Sequence, residues 1–120
     1  MNNKQIINFK TDGKRITIST LDSIHHVQFS FDIKQVENFG DMLVVRLKVS
    51  IGNTYNENIF GVSDDAKILW QVEKIEHVDR DSPYTGIGEE NGLLSAYNWD
   101  GFDYLIDPKT GRILDKKFVK

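Results

Sequence analysis

The strongest constraint in this sequence is a hairpin written twice. Ile59-Phe60-Gly61-Val62-Ser63-Asp64-Asp65-Ala66-Lys67-Ile68-Leu69-Trp70 is followed by Asp103-Tyr104-Leu105-Ile106-Asp107-Pro108-Lys109-Thr110-Gly111-Arg112-Ile113-Leu114. Each copy is an apolar strand, an Asp-led turn with a Lys or Arg, and a second apolar strand, the one-dimensional pattern of an antiparallel pair. Phe60 and Tyr104 are 44 residues apart, and Leu69 and Leu114 are 45 apart. That period lies in the range of four-stranded repeats.

Most of the remaining chain alternates with period two, and no segment holds the three-and-four spacing of an amphipathic helix. Ile6-Ile7-Asn8-Phe9 and Ile16-Thr17-Ile18 flank an Asp12-Gly13 turn, which predicts an opening hairpin. Val27, Phe29, Phe31 and Ile33 alternate with polar residues and read as one strand with one wet face. Leu43, Val45, Leu47, Val49 and Ile51 form the next row after a Gly40-Asp41 turn, and Val44 on the opposite face predicts partial cover there. Residues 77–92, with three Gly and one of the two Pro, read as the longest irregular stretch. Leu93 to Trp99, Phe102 to Ile106 and Arg112 to Val119 complete the strands, with Asp100-Gly101 as a hairpin turn. The expectation is a single all-β domain over residues 1–120. It is an antiparallel up-and-down meander of eight or nine strands, in two blade-like sheets packed as a sandwich or small barrel.

Composition narrows the chemistry. The chain has 120 residues, enough to bury about two-thirds of its unfolded surface without a staple. It has no Cys, which excludes thiol catalysis, Cys-ligated zinc and disulfides. A net charge of −3 with interspersed signs argues against nucleic acid and favours a basic or neutral protein partner. No apolar run approaches the roughly 18 residues of a membrane span, and Met1 to Gln5 lead into a strand without a signal-peptide core, so the expected location is cytoplasmic.

Asp107, Thr110 and Gly111, set between the strands Phe102–Ile106 and Arg112–Leu114, together with Leu69-Trp70 closing the earlier copy, resemble the blade of pyrroloquinoline-quinone-type β-propellers. The resemblance spans residues 40 to 118 and implies blade-like sheets. A closed propeller needs about four or more blades, and 120 residues hold fewer than three of this period, so neither closure nor the quinone cofactor is expected. In general character the chain is also similar to bacterial polymorphic-toxin immunity proteins, which implies a compact domain that occludes a toxin.

Several local patterns have a chemical reading and a plainer one. Gly86-Ile87-Gly88-Glu89-Glu90-Asn91-Gly92 imitates a phosphate loop, but it precedes a strand, not a helix, and carries two carboxylates. Asp79, Asp81 and Glu90 have first, third and twelfth places of a calcium loop, but Pro83 and Tyr84 spoil its middle. His25 and His26 are adjacent on a strand and face opposite ways, so no metal is expected. The aromatics are more informative. Tyr97 and Trp99 share one face by alternation, Phe102 and Tyr104 another, and one pair left exposed makes a recognition platform. The expected site comprises Tyr84, Trp99 and the acids Asp79, Asp81, Glu89, Glu90, Asp100 and Asp103. The expected function is a non-enzymatic protein-binding module masking a basic site on a partner such as a toxin. The alternatives are a small-ligand-binding or hydrolytic domain with a pocket under the 77–92 loop and His77 in it, and a homodimer burying the Val44 side.

Overall fold

A computed structural model of the chain describes residues 5–50, 52, 54–76 and 81–119. The described residues form eleven strands and no helix, in three antiparallel meanders. The N-terminal sheet holds β1 (Asn8–Asp12), β2 (Arg15–Ser19) and β3 (Ile24–Gln28). The central sheet holds β4 (Ile33–Asn38), β5 (Met42–Leu47), β6 (Ile59–Ser63) and β7 (Ile68–Gln71). The C-terminal sheet holds β8 (Tyr84–Glu90), β9 (Leu93–Asn98), β10 (Phe102–Ile106) and β11 (Ile113–Phe118). Within each sheet every neighbour in sequence is a neighbour in space, as short connections require. Among the described residues no helix is long and apolar enough to cross a membrane.

The all-β antiparallel architecture matches expectation, but the strand count and the number of sheets do not. The row Val27 to Ile33 is divided, because β3 ends at Gln28 and the chain crosses from the N-terminal to the central sheet before β4 starts at Ile33. The stretch read as irregular contains a seven-residue strand, β8, whose two glycines alternate with inward Ile87 and outward-facing space. None of the three sheets closes into a barrel.

The central sheet is buried on both faces, which is why β5 reads as a nearly continuous apolar run. Leu43, Val45, Leu47, Phe60 and Val62 pack against Ile6, Ile16, Ile18 and Phe29 of the N-terminal layer. Met42, Val44, Ile59 and Trp70 pack against Tyr84, Ile87, Leu94, Ala96, Tyr104 and Ile106 of the C-terminal sheet. Val44 is fully buried within the chain, so that face is covered without a second copy. The whole measures 43 × 31 × 21 Å.

Two contacts hold the central and C-terminal sheets in register. Gln35 of β4 behaves like a strand residue toward β8: its Nε2 donates to the Ile87 carbonyl at 2.9 Å, and its Oε1 accepts from the Ile87 N–H at 3.0 Å. The same Oε1 accepts from Arg46 Nε at 2.8 Å, which gives the half-buried guanidinium a partner. At the other edge the Trp70 indole lies between Gly61 and Gly111, and its Nε1 donates to the Pro108 carbonyl at 2.8 Å. A Cβ at Gly61 would stand 2.3 Å from Trp70 Cε2, and one at Gly111 2.5 Å from Cε3. Glu73 extends the attachment, donating its N–H to the Gly111 carbonyl and accepting from the Ile113 N–H.

The repeat is visible in the ladders. β6 and β7 pair Phe60 with Gln71, Gly61 with Trp70 and Val62 with Ile68, and β10 and β11 pair Tyr104 with Lys116, Leu105 with Asp115 and Ile106 with Ile113. Each hairpin has one register shift at the same place. The extra residue is Leu69 in one and Leu114 in the other. The pair Gly61–Trp70 is thus replaced in the second copy by Leu105–Asp115.

Replacing these glycines separates steric from conformational cost. Gly61→Ala meets only the indole, Gly111→Ala meets the indole at a φ of +76°, and Gly92→Ala has a φ of +81° with open space around it. Chemical denaturation is expected to give losses of about 1 kcal/mol for Gly92→Ala, about 2 for Gly61→Ala and about 3 or more for Gly111→Ala. Trp70→Ala is expected to cost about 3–5 kcal/mol.

Candidate functional site

The residues expected to form one platform are divided between the two ends of β9. That strand runs six residues, so its ends lie roughly 17 Å apart at about 3.4 Å per step. Asn98 and the following turn, with Trp99 and Asp100, lie at one end beside Tyr84 and Pro83. Leu93 lies at the other, paired with Glu90 and next to Leu94, whose partner is Glu89. Asp79 and His77 fall outside the described residues.

At the Trp99 end, hydrogen bonds fix almost every turn atom. Asn98 Oδ1 accepts from the Asp100 N–H at 3.0 Å, and the Asn98 carbonyl accepts from the Gly101 N–H at 3.0 Å. Asp100 Oδ1 accepts from the Phe102 N–H at 2.9 Å, and its Oδ2 accepts from the Tyr104 hydroxyl at 2.6 Å. The Trp99 N–H donates to the Pro83 carbonyl at 3.0 Å. Asn98 itself is fully buried, donating from Nδ2 to the Ser82 carbonyl at 3.0 Å and bonded through Oδ1 to the Ser82 hydroxyl. On this fixed turn Trp99 is 71% exposed.

The open face of the C-terminal sheet adjoins that turn. Tyr97, 40% exposed, pairs across the ladders with Gly86 on one side and Asp103 on the other. Gly86 and Gly88 have nothing within 4 Å of a would-be Cβ and no positive φ. Neither backbone strain nor packing within the chain requires glycine there, and they leave a shallow floor of bare backbone beside Tyr97, Ser95 and Val119. Asp103 is half-buried and accepts from Ser95 Oγ at 2.8 Å. Asp81 is exposed and accepts from Thr54 Oγ1 at 2.5 Å.

Trp99, Asp81, Asp100 and Asp103 therefore remain together, joined by Tyr97, whereas Glu89 does not belong to this surface and Glu90 meets it only at Asp103. Glu89 lies at the mouth of a groove between the central and C-terminal sheets, and Glu90 lies on the open face, where it lines a hollow with Asp103, Leu105 and Lys117. Tyr84 is not a surface residue. It is 2% exposed, packed edge-on against Tyr104 with ring centroids 5.9 Å apart. The glycine run is strand and turn, and Tyr84–Glu90 being a strand leaves no calcium-type loop. His25 and His26 pair with Ile18 and Thr17, on opposite faces as alternation requires. No group of three His, Asp or Glu among the described residues is placed to hold a metal ion.

The two buried phenols beneath the turn differ in one respect. The Tyr84 hydroxyl has no hydrogen-bond partner among the described residues, whereas that of Tyr104 donates to Asp100. Burial pushes both phenols well above their usual range, and for Tyr104 the Asp100 carboxylate adds to the shift. A raised folded-state value means stability that is complete below about pH 10, where the unfolded phenol is still protonated, and that falls as pH rises above it. Tyr84→Phe is expected to gain about 1 kcal/mol by removing an unpaired hydroxyl, and Tyr104→Phe to lose about 2 kcal/mol. Urea titrations at pH 7 and pH 11 check both, with a smaller alkaline loss in Tyr84→Phe.

No curated protein and no solved structure matches this chain. One family does, over residues 6–118, nearly the whole of the sequence and all three sheets. The chain belongs to that family, which is described as Domain of unknown function (DUF7957).

Proposed function

We propose that this chain is a protein-binding module in which Trp99 is the anchor that enters a partner's surface. The observation that carries this reading is an indole 71% exposed on a turn whose neighbouring atoms are hydrogen-bonded in place. Exposing so large an apolar ring has no folding benefit, and holding it rigid removes most of the ordering cost of binding. Tryptophan is also the residue type most enriched among the few that dominate interface energies. Tyr97 and Val119 extend the apolar area, and the bare backbone at Gly86 and Gly88 gives a partner close access to the sheet.

The rim sets the sign of the partner. Asp81, Asp100 and Asp103 surround the aromatic pair, which favours a basic surface, the kind an inhibitor or immunity-type protein masks on a toxin. Asp100 serves mainly to hold the turn, since both its oxygens accept bonds within the chain. The blade-like character of the two four-stranded meanders is kept as a reading of architecture, supported by their matching registers and by the Trp70 contact, and no cofactor is proposed with it.

Photo-crosslinking from p-benzoylphenylalanine placed at Tyr97 is expected to trap one discrete partner, with Ile24, 71% exposed on the N-terminal sheet, as the control position. Against the trapped partner, Trp99→Ala is expected to lower affinity about 30-fold or more. Asp81→Lys and Asp103→Lys are expected to slow association and flatten its salt dependence. Equal labelling from both positions, or unchanged affinity of Trp99→Ala, overturns the assignment.

A further inference from the structure

We infer that the groove between the central and C-terminal sheets, at the end away from Trp99, is a binding site for a small organic cation carried on an apolar body. Three turns converge there: Asn38–Met42 between β4 and β5, Glu89–Leu93 between β8 and β9, and Asp107–Gly111 between β10 and β11. They line a half-open groove of about 770 Å³, within the range of small-molecule sites. The site is independent of the protein-binding reading, being separated from Trp99 by the length of β9.

The walls specify the ligand. Phe39, Met42, Leu69 and Pro108 supply the apolar surface, and Leu69 is 52% exposed although it adjoins the buried Trp70. Glu37, Asp41 and Glu89 supply three carboxylates against the single base Lys109. Glu37 pairs with Val44 across the ladder, which turns it toward the C-terminal sheet and leaves it half-buried on the groove wall. Among the described residues neither its carboxylate nor that of Asp41 has a hydrogen bond or an ion pair. A half-buried carboxylate facing an apolar groove with no partner is the complement of an ammonium or guanidinium group.

The carboxylates are too dispersed to take an inorganic cation, since no three His, Asp or Glu among the described residues are grouped to hold a metal ion. An organic cation needs no such convergence. It requires one or two carboxylates at its charged end and an apolar wall along its body, with the Phe39 ring available to the charge as well. The groove is also preformed. Phe39 N–H donates to the Met42 carbonyl, Gly40 N–H to Asn38 Oδ1, Gly92 N–H to Glu89 Oε2, and Lys109 N–H to Asp107 Oδ1.

Three probes with one phenethyl-type body test the assignment on the full chain: 2-phenylethylamine, the neutral 2-phenylethanol and the anionic 3-phenylpropionate. In a two-dimensional amide NMR titration, 2-phenylethylamine is expected to give saturable shifts at Phe39, Asp41, Met42, Gly92 and Lys109, at a Kd of about millimolar for a fragment of this size. The neutral probe is expected to bind about tenfold more weakly, the anion and magnesium chloride to leave these amides unmoved. Glu37→Gln and Asp41→Asn each are expected to weaken the amine about fivefold while amides at the Trp99 end stay in place, which shows the variants folded. Shifts that do not saturate, shifts centred elsewhere, equal binding of 2-phenylethanol, or unchanged affinity in both variants overturns the proposal. Because Trp99 takes no part, this result stands or falls apart from the fate of the protein-binding reading.

Discussion

The structure depends on one ring meeting two bare stretches of backbone. Trp70 is donated by the last strand of the central sheet, fills the space that a side chain would occupy at Gly61, and reaches the turn of the next sheet at Gly111. Its N–H is satisfied by the Pro108 carbonyl, so the polar atom of a buried indole carries no desolvation penalty. Sheets that meet only by apolar side chains can slide by a residue pair at modest cost. A ring seated between two glycines, with a directed hydrogen bond at its edge, has one position. Gln35 supplies the second fixed point at the opposite strand of the same sheet, where a side-chain amide stands in for a strand's peptide group against Ile87. Between these two attachments the Tyr84, Leu94 and Tyr104 layer is held against Val44 and Ile59.

Much of this was legible in the sequence because period-two alternation and turn chemistry are local. The hairpin at Gly13, the turn at Gly40-Asp41 and the repeated unit all follow from neighbours along the chain, and the shared registers of the two copies bear out the 44- and 45-residue spacing. The failures share a cause. Val27 to Ile33 alternates without interruption although the chain changes sheets inside it, since the residues on either side of the crossing point at the same apolar layer around Phe29. In β8 the glycines that read as loop residues lie in a strand, held there by pairing to β9 and by Tyr84 and Ile87 on its inner face. The full burial of β5 came only partly into view through Val44, because the sheet that covers it is contributed by residues far along the chain.

The functional surface was legible to the extent that it is built from one turn. Trp99, Asp100 and Asp103 are near in sequence and remain near in space, and Tyr97 joins them by simple alternation. Glu89 and Glu90 were grouped with them by proximity in a stretch that looked unstructured; its extension into β8 carries Glu89 to the groove and leaves Glu90 at the far end of that strand, on the open face with Asp103. Tyr84 was misplaced for a related reason: a Tyr beside a Pro in an apparent loop gives no sign that its ring is the inward residue of a strand. The groove could not have been found in one dimension, because its walls come from three separate turns, the first about fifty residues from the second, and nothing in Glu37 or Asp41 alone marks them as neighbours of Pro108.

The replacement of the Gly61–Trp70 pair by Leu105–Asp115 bears on how such an array could ever lengthen. To seat a fourth layer on the outer side in the way the third is seated, an indole would have to appear at 115 and the leucine at 105 would have to shrink to hydrogen. Either step alone is unfavourable, because the ring collides with the leucine and the glycine without the ring leaves a hollow. The outermost layer as it stands therefore offers no seat for a further sheet of the kind that Gly61 and Trp70 give the third.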